Sequence, residues 1–301
     1  MSVIKTVRDF SLKESAKNDI RLAFSNAAKN YDTHALFQKE MAKELLNGFV
    51  LPVTTHHSPF TTILDIGCGT GFLTHGLSEI FPKANIFGCD IAHEMTGQAT
   101  CKVKSAKSKK TYFLTADGGV LPYKNKAFDM VASNLAYQWI HDAKTAFSEA
   151  HRVLRPGGIF IFSTLGGETL KELRHCYAEA SAKFNKDGLP PFMAFSEKQA
   201  VQSALEGAGF KNIFIETTKM IKTYPDMWTL LKTIKSIGAG NPFKDGDKSL
   251  GRGFLLKKMA EVYKERFQIQ DSRFKSCSLH LATCKCIYAT YEAMFVRALK
   301  L

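Results

Sequence analysis

The sequence predicts an α/β fold built on a mostly parallel sheet, with an antiparallel last strand and helical cap segments. Three observations support this prediction. Short apolar segments alternate with helical segments between residues 61 and 165, a pattern typical of parallel sheets covered on both faces. A glycine-rich turn follows the first of these apolar segments. An apolar and aromatic segment at residues 286–296 has the composition of a final strand.

Two helices are expected before the sheet, at residues 13–30 and 34–50, because apolar side chains recur at helical spacing in the second. Pro52 and Pro59 then mark a break in the chain. The alternating part follows them. We expect its strands at 62–66, 85–89, 112–115, 128–133 and 159–163, and its helices at 72–81, 92–101 and 143–154.

The pattern is less regular after residue 165. Ser196-Glu197-Lys198-Gln199 is expected to be a capping box that opens a helix. Further helices are expected at 169–184, 225–237 and 255–267, and further strands at 212–217 and 286–296. We therefore expect residues 1–59 to form an N-terminal helical lid on a domain of residues 60–301. Cap insertions at about 167–200 and 220–285 are expected to cover the ligand-binding edge of its sheet.

The charge of the chain calls for a partner hypothesis. Its 301 residues carry a formal net charge of +13, and basic proteins attract nucleic acid, anionic membranes or acidic proteins over long distances, whereas the alternative is that the lysines only keep the surface soluble. The sequence has no RGG segment, zinc-finger spacing or low-complexity tail, so nucleic acid is not the expected partner. No apolar run approaches the roughly 18 residues of a membrane span. The seven scattered cysteines indicate reduced thiols, and we expect a cytoplasmic protein that binds no membrane.

The glycine-rich turn predicts a ligand site. Gly67, Gly69 and Gly71 follow a predicted strand and open a predicted helix, so backbone N–H groups are accessible without obstruction from Cβ atoms. Their G-x-G-x-G spacing differs from the G-x-G-x-x-G of dinucleotide-binding turns. An acidic residue lies at or after the end of each of the first three strands. Because the carboxyl ends of parallel strands meet at one edge, these residues are expected to surround one ligand. They are Asp65, Asp90 and Asp117.

Residues 60–165 resemble the class I methyltransferases, whose sheet is Rossmann-like. The later signatures of that class match Ala116–Pro122, Phe128–Asn134 and Val153–Gly158. The resemblance implies S-adenosylmethionine as the cofactor. Asp65 would hold its ammonium group through water, Asp90 would accept hydrogen bonds from both ribose hydroxyls, and Asp117 would meet the adenine amino group. The full set of residues expected to bind the cofactor is Asp65, Gly67, Gly69, Gly71, Asp90, Ile91, Asp117, Gly118 and Asn134.

The flanking segments resemble the malonyl-acyl-carrier-protein O-methyltransferases of biotin synthesis, the BioC family. The resemblance spans nearly the whole chain, although Lys275–Cys286 has no evident counterpart. It implies methyl esterification of the free carboxylate of malonyl-acyl carrier protein or malonyl-CoA, with the acidic carrier protein as the partner of the basic surface. The segments that carry it are Phe24–Asp32, Ala35–Gln38, Ser133–Trp139, Leu231–Asn241 and Ala289–Phe295.

This reaction needs few catalytic groups. A carboxylate with a pKa of roughly 4 is already ionised at neutral pH, so no general base is required. The remaining requirements are alignment, a dry pocket and a counter-charge. Lys235 and Arg252 are the candidate cations, while Tyr31 is expected to close over the sulfonium and Trp139 to line the acyl slot.

Other functions stay open at this point. Gly166–Arg174 and Tyr224–Met227 resemble mitochondrial assembly factors that hydroxylate an arginine of a respiratory-complex subunit about equally well. Methyl transfer to another acid or to RNA, and a non-catalytic cofactor-binding scaffold, are further alternatives. Cys277, His280, Cys284 and Cys286 lie within a short span, but their spacing fits no common zinc pattern, and no metal is expected.

Overall fold

The computed structural model describes residues 2–55, 60–106, 110–140, 142–182, 195–239, 250–270 and 285–301. Its helices are α1 (Ser2–Ala27), α2 (Tyr31–His34), α3 (Leu36–Leu45), α4 (Phe72–Ile80), α5 (His93–Ala106), α6 (Ala143–Val153), α7 (Lys171–Ala182), α8 (Lys198–Gly207), α9 (Met227–Ser236) and α10 (Leu250–Phe267). Its strands are β1 (Thr62–Ile66), β2 (Asn85–Asp90), β3 (Thr111–Thr115), β4 (Phe128–Asn134), β5 (Leu154–Leu165), β6 (Lys211–Tyr224), β7 (Gln268–Gln270) and β8 (Lys285–Leu299). No helix of these described segments is both long and apolar enough to cross a membrane.

The described strands form one mixed sheet in the order β3-β2-β1-β4-β5-β8-β6, and β7 pairs with β8. The pairs β1–β2, β2–β3, β1–β4 and β4–β5 are parallel, whereas β7 and β8 are antiparallel. Ile66 is in register with Cys89, and Asp90 is in register with Thr115. The carboxyl ends of the first three strands therefore lie side by side at one edge of the sheet. This arrangement confirms the predicted fold class.

The strands at the centre of the sheet consist mainly of apolar residues, because both faces of the sheet are covered. In β1, Ile63, Leu64 and Ile66 are fully buried, and every residue of β5 from Ile159 to Leu165 is buried. An aromatic cluster on one face joins β5 to the short 3₁₀ helix Tyr137–Trp139. Burial of these large rings is the main favourable term for this face of the sheet.

Two compact units divide the chain. Unit 1 comprises residues 1–164, 196–217 and 294–301, and it contains the turn with the glycines and strands β1 to β4. Unit 2 comprises residues 165–195 and 218–293. Within unit 2, α7 packs against α10, and the buried carboxylate of Glu172 accepts a hydrogen bond of 2.9 Å from the backbone N–H of Thr290. The predicted placement of cap segments over the sheet edge stays a prediction.

Several element boundaries differ from the sequence-based ones. Strand β5 begins at Leu154, ahead of the Pro-Gly-Gly segment, and β6 extends to Tyr224, seven residues beyond its predicted end. The predicted capping box at Ser196 is wrong, because α8 begins after Glu197 and no side chain caps its first N–H groups. Of the four clustered residues considered as metal ligands, Cys277, His280 and Cys284 lie outside the described residues. Cys286 is buried in β8.

Candidate functional site

The turn between β1 and α4 is shaped by its glycines. Gly67, Gly69 and Gly71 all have positive φ values, of 69°, 54° and 87°. A Cβ atom on Gly67 would lie 2.1 Å from the Cβ atom of Ala136, so no side chain fits there. Gly69 differs, because a Cβ atom there would meet nothing within 4 Å. The backbone at Gly69 therefore faces open space that a ligand can occupy.

Asp90, the last residue of β2, holds this turn in place through hydrogen bonds. Its Oδ2 accepts a hydrogen bond of 2.9 Å from the N–H of Gly69, and its Oδ1 accepts one of 2.9 Å from the N–H of Ala92. Burial raises the pKa of Asp90, and the two N–H groups oppose that rise. A carboxylate has about four acceptor positions, so Asp90 keeps lone pairs for two further donors. The hydroxyls of a ribose are suitable donors.

Asp65 lies one strand away, near the end of β1, and its side chain is completely buried. Its Oδ2 accepts a hydrogen bond of 2.6 Å from the hydroxyl of Thr74. Its Oδ1 is buried and has no hydrogen-bond partner among the described residues. Burial, with a smaller contribution from the charge of Asp90, raises the pKa of Asp65 to about 7. An unpaired buried carboxylate of this kind favours a cationic ligand.

The N-terminal segment contributes the other wall of a pocket above the glycine turn. Asp32 accepts a hydrogen bond of 2.6 Å from the hydroxyl of Thr70, inside the turn, and forms an ion pair with Lys102 of α5. Burial opposes the charge of Asp32, but hydrogen bonds from Lys102 and Thr70 and nearby positive charge lower its pKa. The residues that line this pocket are Tyr31, Asp32, Ala35, Gln38, Lys39, Gly67, Cys68, Gly69, Thr70, Phe72, Leu73 and Asn134.

Tyr31 lines the same pocket as Gly67 and Gly69, and its expected place over the sulfonium stays a prediction. Burial, together with the carboxylates of Asp90 and Asp32, raises the pKa of Tyr31 far above its usual value. The phenol thus keeps its proton at neutral pH and can donate a hydrogen bond, but it cannot act as a base.

Asn134 also lines the pocket, although both ends of its side-chain amide are engaged. Its Oδ1 accepts a hydrogen bond of 2.7 Å from the hydroxyl of Ser163, and its Nδ2 donates one of 3.0 Å to the carbonyl of Gln38. This side chain therefore joins the end of β4 to α3. The expectation that Asn134 binds the cofactor stays a prediction, for which its backbone is the better candidate.

Asp117 follows β3 and has partners of its own. Its Oδ1 accepts a hydrogen bond of 2.9 Å from the N–H of Gly119, and its Oδ2 lies 2.5 Å from the ammonium group of Lys17 on α1. Gly118 is tightly enclosed, since a Cβ atom there would lie 2.9 Å from the side chain of Ile66. Ile91 follows Asp90 directly and is half-buried. The roles predicted for these residues remain predictions.

The candidate residues for the acceptor side are spread more widely. Trp139 makes an edge-to-face contact with Phe24 of α1, with ring centroids 5.3 Å apart, and is not among the residues that line the pocket. Lys235 lies in the last turn of α9, within unit 2, and its side chain is exposed. Arg252 lies in the first turn of α10, but its side chain is outside the described residues.

Several pocket residues were not among the predicted site residues. Gln38 and Lys39 stand next to the predicted Tyr31 motif, and their position beside it is a usable signal. Thr70, which lines the pocket, and Lys102, which does not, are different cases. Each contacts Asp32, which lies 38 residues before Thr70 and 70 residues before Lys102 in the sequence. No local pattern indicates such contacts.

These features fit the cofactor that the sequence predicts. S-adenosylmethionine carries ribose hydroxyls that suit the spare acceptor positions of Asp90, and an ammonium group that suits the unpaired Oδ1 of Asp65. The open space over Gly69 leaves room for a ligand.

Comparison with known proteins identifies the fold and the family of the chain. Residues 64–162 match the model of the methyltransferase domain family. The YcgJ protein of Bacillus subtilis has a similar structure, with a TM-score of 0.57 at 15% identity over 83% of this chain and 96% of that one, which shows the fold.

Two curated relatives are more informative. The biotin biosynthesis bifunctional protein BioHC of Saccharophagus degradans is 36% identical over 83% of this chain, which spans 43% of that longer protein. The malonyl-[acyl-carrier protein] O-methyltransferase of Geobacter sulfurreducens is 32% identical over 83% of this chain and 92% of its own length. These relatives do not favour the arginine-hydroxylase alternative. The chain belongs to the malonyl-[acyl-carrier protein] O-methyltransferase family.

Proposed function

We propose that this protein transfers a methyl group from S-adenosylmethionine to the free carboxylate of malonyl-acyl carrier protein, or of malonyl-CoA. The product is a malonyl methyl ester for the pimeloyl branch of biotin biosynthesis. The observation that carries this proposal is the 32% identity to a malonyl-[acyl-carrier protein] O-methyltransferase along 92% of that relative. The acids beside the glycine turn support it, because Asp90 and Asp65 have acceptor positions that suit the cofactor of such an enzyme, although neither is among the residues that line the pocket.

The residues of unit 1 hold the cofactor in this proposal. S-adenosylmethionine, when bound, supplies a methyl group on a positively charged sulfur. Asp90 accepts hydrogen bonds from the ribose hydroxyls while it braces the turn through Gly69. Asp65 provides negative charge near the ammonium group, through water, and Asp117 receives the adenine amino group. Gly69 leaves the turn open for the amino-acid part of the cofactor.

The acceptor carboxylate needs to be oriented towards the methyl group, but it does not need a base to make it a nucleophile. A carboxylate with a pKa of about 4 is ionised at neutral pH and is its own nucleophile. Tyr31 is protonated, so its hydroxyl can orient the reacting groups without removing a proton. Lys235 or Arg252 would supply one counter-charge, and Trp139 would line the acyl slot. A single cation is preferred, because a stronger ion pair would weaken the nucleophile.

The basic charge of the chain suits an acyl carrier protein as the partner. Complementary charge raises association rates and favours acidic partners over others. The formal net charge of +13 is consistent with this role. We also propose that the reaction takes place in the cytoplasm, since the described cysteines Cys68, Cys89, Cys101, Cys176 and Cys286 are free thiols.

Methyl transfer can be measured directly. The protein would be incubated with methyl-labelled S-adenosylmethionine and malonyl-acyl carrier protein, with malonyl-CoA tested in parallel. The expected product is a base-labile methyl ester on the malonyl group, because a carboxyl ester is hydrolysed by mild alkali. Acetyl-acyl carrier protein is the matched control substrate, since it has the same carrier and thioester but no free carboxylate.

The outcome discriminates between the candidate functions. Label on malonyl but not on acetyl carrier protein supports the proposal. Label that appears on RNA or on an unrelated carboxylic acid, with none on malonyl, contradicts it.

A further inference from the structure

Gln38 presents an unsatisfied acceptor in a residue that lines the cofactor pocket. It lies on α3, and its side-chain Oε1 is buried without a hydrogen-bond partner among the described residues. Buried polar atoms in native proteins are nearly always hydrogen-bonded, so an atom of this kind calls for a partner that is not part of the fold. A bound ligand with an N–H group would provide one.

The neighbours of Gln38 hold it in place without using this atom. The carbonyl of Gln38 accepts a hydrogen bond of 3.0 Å from Nδ2 of Asn134, whose Oδ1 is already bonded to Ser163. The ammonium group of Lys39 donates to the carbonyl of Asp32 at 2.7 Å and lies 5.8 Å from the ring centre of Phe72. The backbone of α3 is thus anchored on both sides, while the side-chain carbonyl of Gln38 has no bond within the described chain.

The chemistry of the free atoms identifies the ligand group. The ribose hydroxyls and the adenine amino group of S-adenosylmethionine already have proposed acceptors in Asp90 and Asp117. The cofactor's ammonium group has three N–H donors. Four buried side-chain oxygens have no hydrogen-bond partner among the described residues, on Gln38, Asp65, Tyr137 and Gln138, and of these residues Gln38 alone lines the pocket. Two of the four are acceptors beside the pocket or the turn: Oε1 of Gln38, and Oδ1 of Asp65, which lies two residues before Gly67. One ammonium group can satisfy both, directly or through water.

We propose that Gln38 is a cofactor-binding residue whose side-chain carbonyl accepts a hydrogen bond from the ammonium group of S-adenosylmethionine. The inference rests on the proposed function, because it takes the cofactor from it. It assigns Gln38 and Asp65 a shared ligand group, and it gives the side chain of Asn134 the separate role of positioning α3.

Four ligands separate the parts of the cofactor in a binding test by isothermal titration calorimetry. S-adenosylhomocysteine carries both the ammonium and the carboxylate. Its decarboxylated analogue keeps only the ammonium, its deaminated analogue keeps only the carboxylate, and 5′-methylthioadenosine has neither. The variant Gln38→Met keeps the length of the side chain and removes the amide. Gln202→Met, at an exposed position on α8, is the matched control.

Gln38→Met should weaken binding of the two ammonium-bearing ligands by about tenfold, the size expected for one lost hydrogen bond to a charged group. Binding of the other two ligands should change by less than about twofold. Gln38→Glu restores an acceptor and should bind the decarboxylated analogue at least as tightly as the unmodified protein. Thermal unfolding of each variant verifies that it is folded. If Gln38→Met is not folded, Gln38→Glu tests the proposal independently.

Three results would overturn the inference. The first is an equal loss for all four ligands, which indicates a general structural role. The second is an unchanged affinity for S-adenosylhomocysteine, and the third is a loss confined to carboxylate-bearing ligands. Each of these results leaves the proposed function standing as long as the unmodified protein binds S-adenosylhomocysteine and esterifies malonyl. Failure of the unmodified protein to bind that ligand would instead contradict the proposed function itself.

Discussion

The hydroxyl of Thr70, inside the glycine turn, donates a hydrogen bond to Oδ1 of Asp32, with 2.6 Å between the two oxygen atoms. Asp32 immediately follows Tyr31, so this bond connects the segment that bears the tyrosine to the turn over which it lies. Lys102 reinforces the connection, because its ammonium group pairs with Asp32 and also donates to the carbonyl of Thr70 at 3.0 Å. The two walls of the pocket thus share a small polar network.

Loss of this network should weaken cofactor binding. Thr70→Val removes the hydroxyl but keeps the shape of the side chain, and we expect a five- to tenfold loss in affinity for S-adenosylhomocysteine. Calorimetric titration measures it. Thr233→Val is a matched control, because the hydroxyl of Thr233 bonds only within its own helix, to the carbonyl of Thr229. Equal affinities for both variants would show that the network does not contribute to binding.

Asp90 should matter more, because it serves both the turn and the ribose. Asp90→Ala is expected to weaken binding of S-adenosylhomocysteine at least tenfold, or about 1.4 kcal/mol, through the loss of the ribose hydrogen bonds. The control is Asp226→Ala, which removes an acid that caps α9 in unit 2. An unchanged calorimetric affinity in the Asp90 variant would exclude Asp90 from the site.

Asp65 should make stability depend on pH in an unusual direction. Its folded-state pKa of about 7 lies above the usual 3.8, so the folded protein binds the proton more tightly than the unfolded chain. The contribution of Asp65 to the free energy of unfolding is therefore most favourable below about pH 4, where the carboxyl is protonated in both the folded and the unfolded chain. This contribution is lost as the pH rises from about 4 towards 7, and above pH 7 it no longer changes with pH. Asp65→Asn should remove this loss and raise the melting temperature of the ligand-free protein most at pH 8.

Cofactor binding should then release a proton. A bound ammonium group favours the charged form of Asp65, so below pH 7 the carboxyl loses its proton as the ligand binds. Titrations at pH 6.5 in buffers of different ionisation enthalpy would detect that proton. The release should be absent in Asp65→Asn, which should also bind S-adenosylhomocysteine more weakly. Equal proton release in both proteins would point to another group.

The candidate cations of unit 2 should affect only the acceptor. Lys235→Ala or Arg252→Ala is expected to raise the KM for malonyl-acyl carrier protein and to leave the affinity for S-adenosylhomocysteine unchanged. Lys232→Ala is the matched control, since Lys232 is exposed on the same helix as Lys235. If neither variant changes the KM, the carboxylate is held elsewhere.

Tyr31 should act through its hydroxyl in the protonated form. Tyr31→Phe is expected to lower kcat about tenfold or more while changing cofactor affinity little, because the ring remains in the pocket. The pH–rate profile of the unmodified protein should show no step from this phenol between pH 6 and 9, since its pKa is raised far above that range. A kcat equal to that of the unmodified protein would leave Tyr31 with a packing role.

The sequence predicted those parts of the site that depend on local rules. Asp65 and Asp90 could be placed at one edge because the ends of adjacent parallel strands meet there, and the register of Ile66 with Cys89 confirms that geometry. The capping box at Ser196 failed for a local reason, since α8 begins at Lys198, one residue later than a helix capped by Ser196 would begin. Contacts such as Lys102 with Asp32 could not be predicted, because they depend on how distant helices pack.

All residues that line the described pocket come from the first 134 residues of the chain and from unit 1, whereas Lys235 and Arg252 belong to unit 2. If Lys235 or Arg252 holds the acceptor as proposed, changes in unit 2 alter which carboxylic acid is accepted without altering the glycine turn or its acids. Over evolutionary time, such a division lets acceptor range diverge while the methyl donor stays the same. For the protein engineer, it makes unit 2 the place to diversify when a different acid is to be esterified.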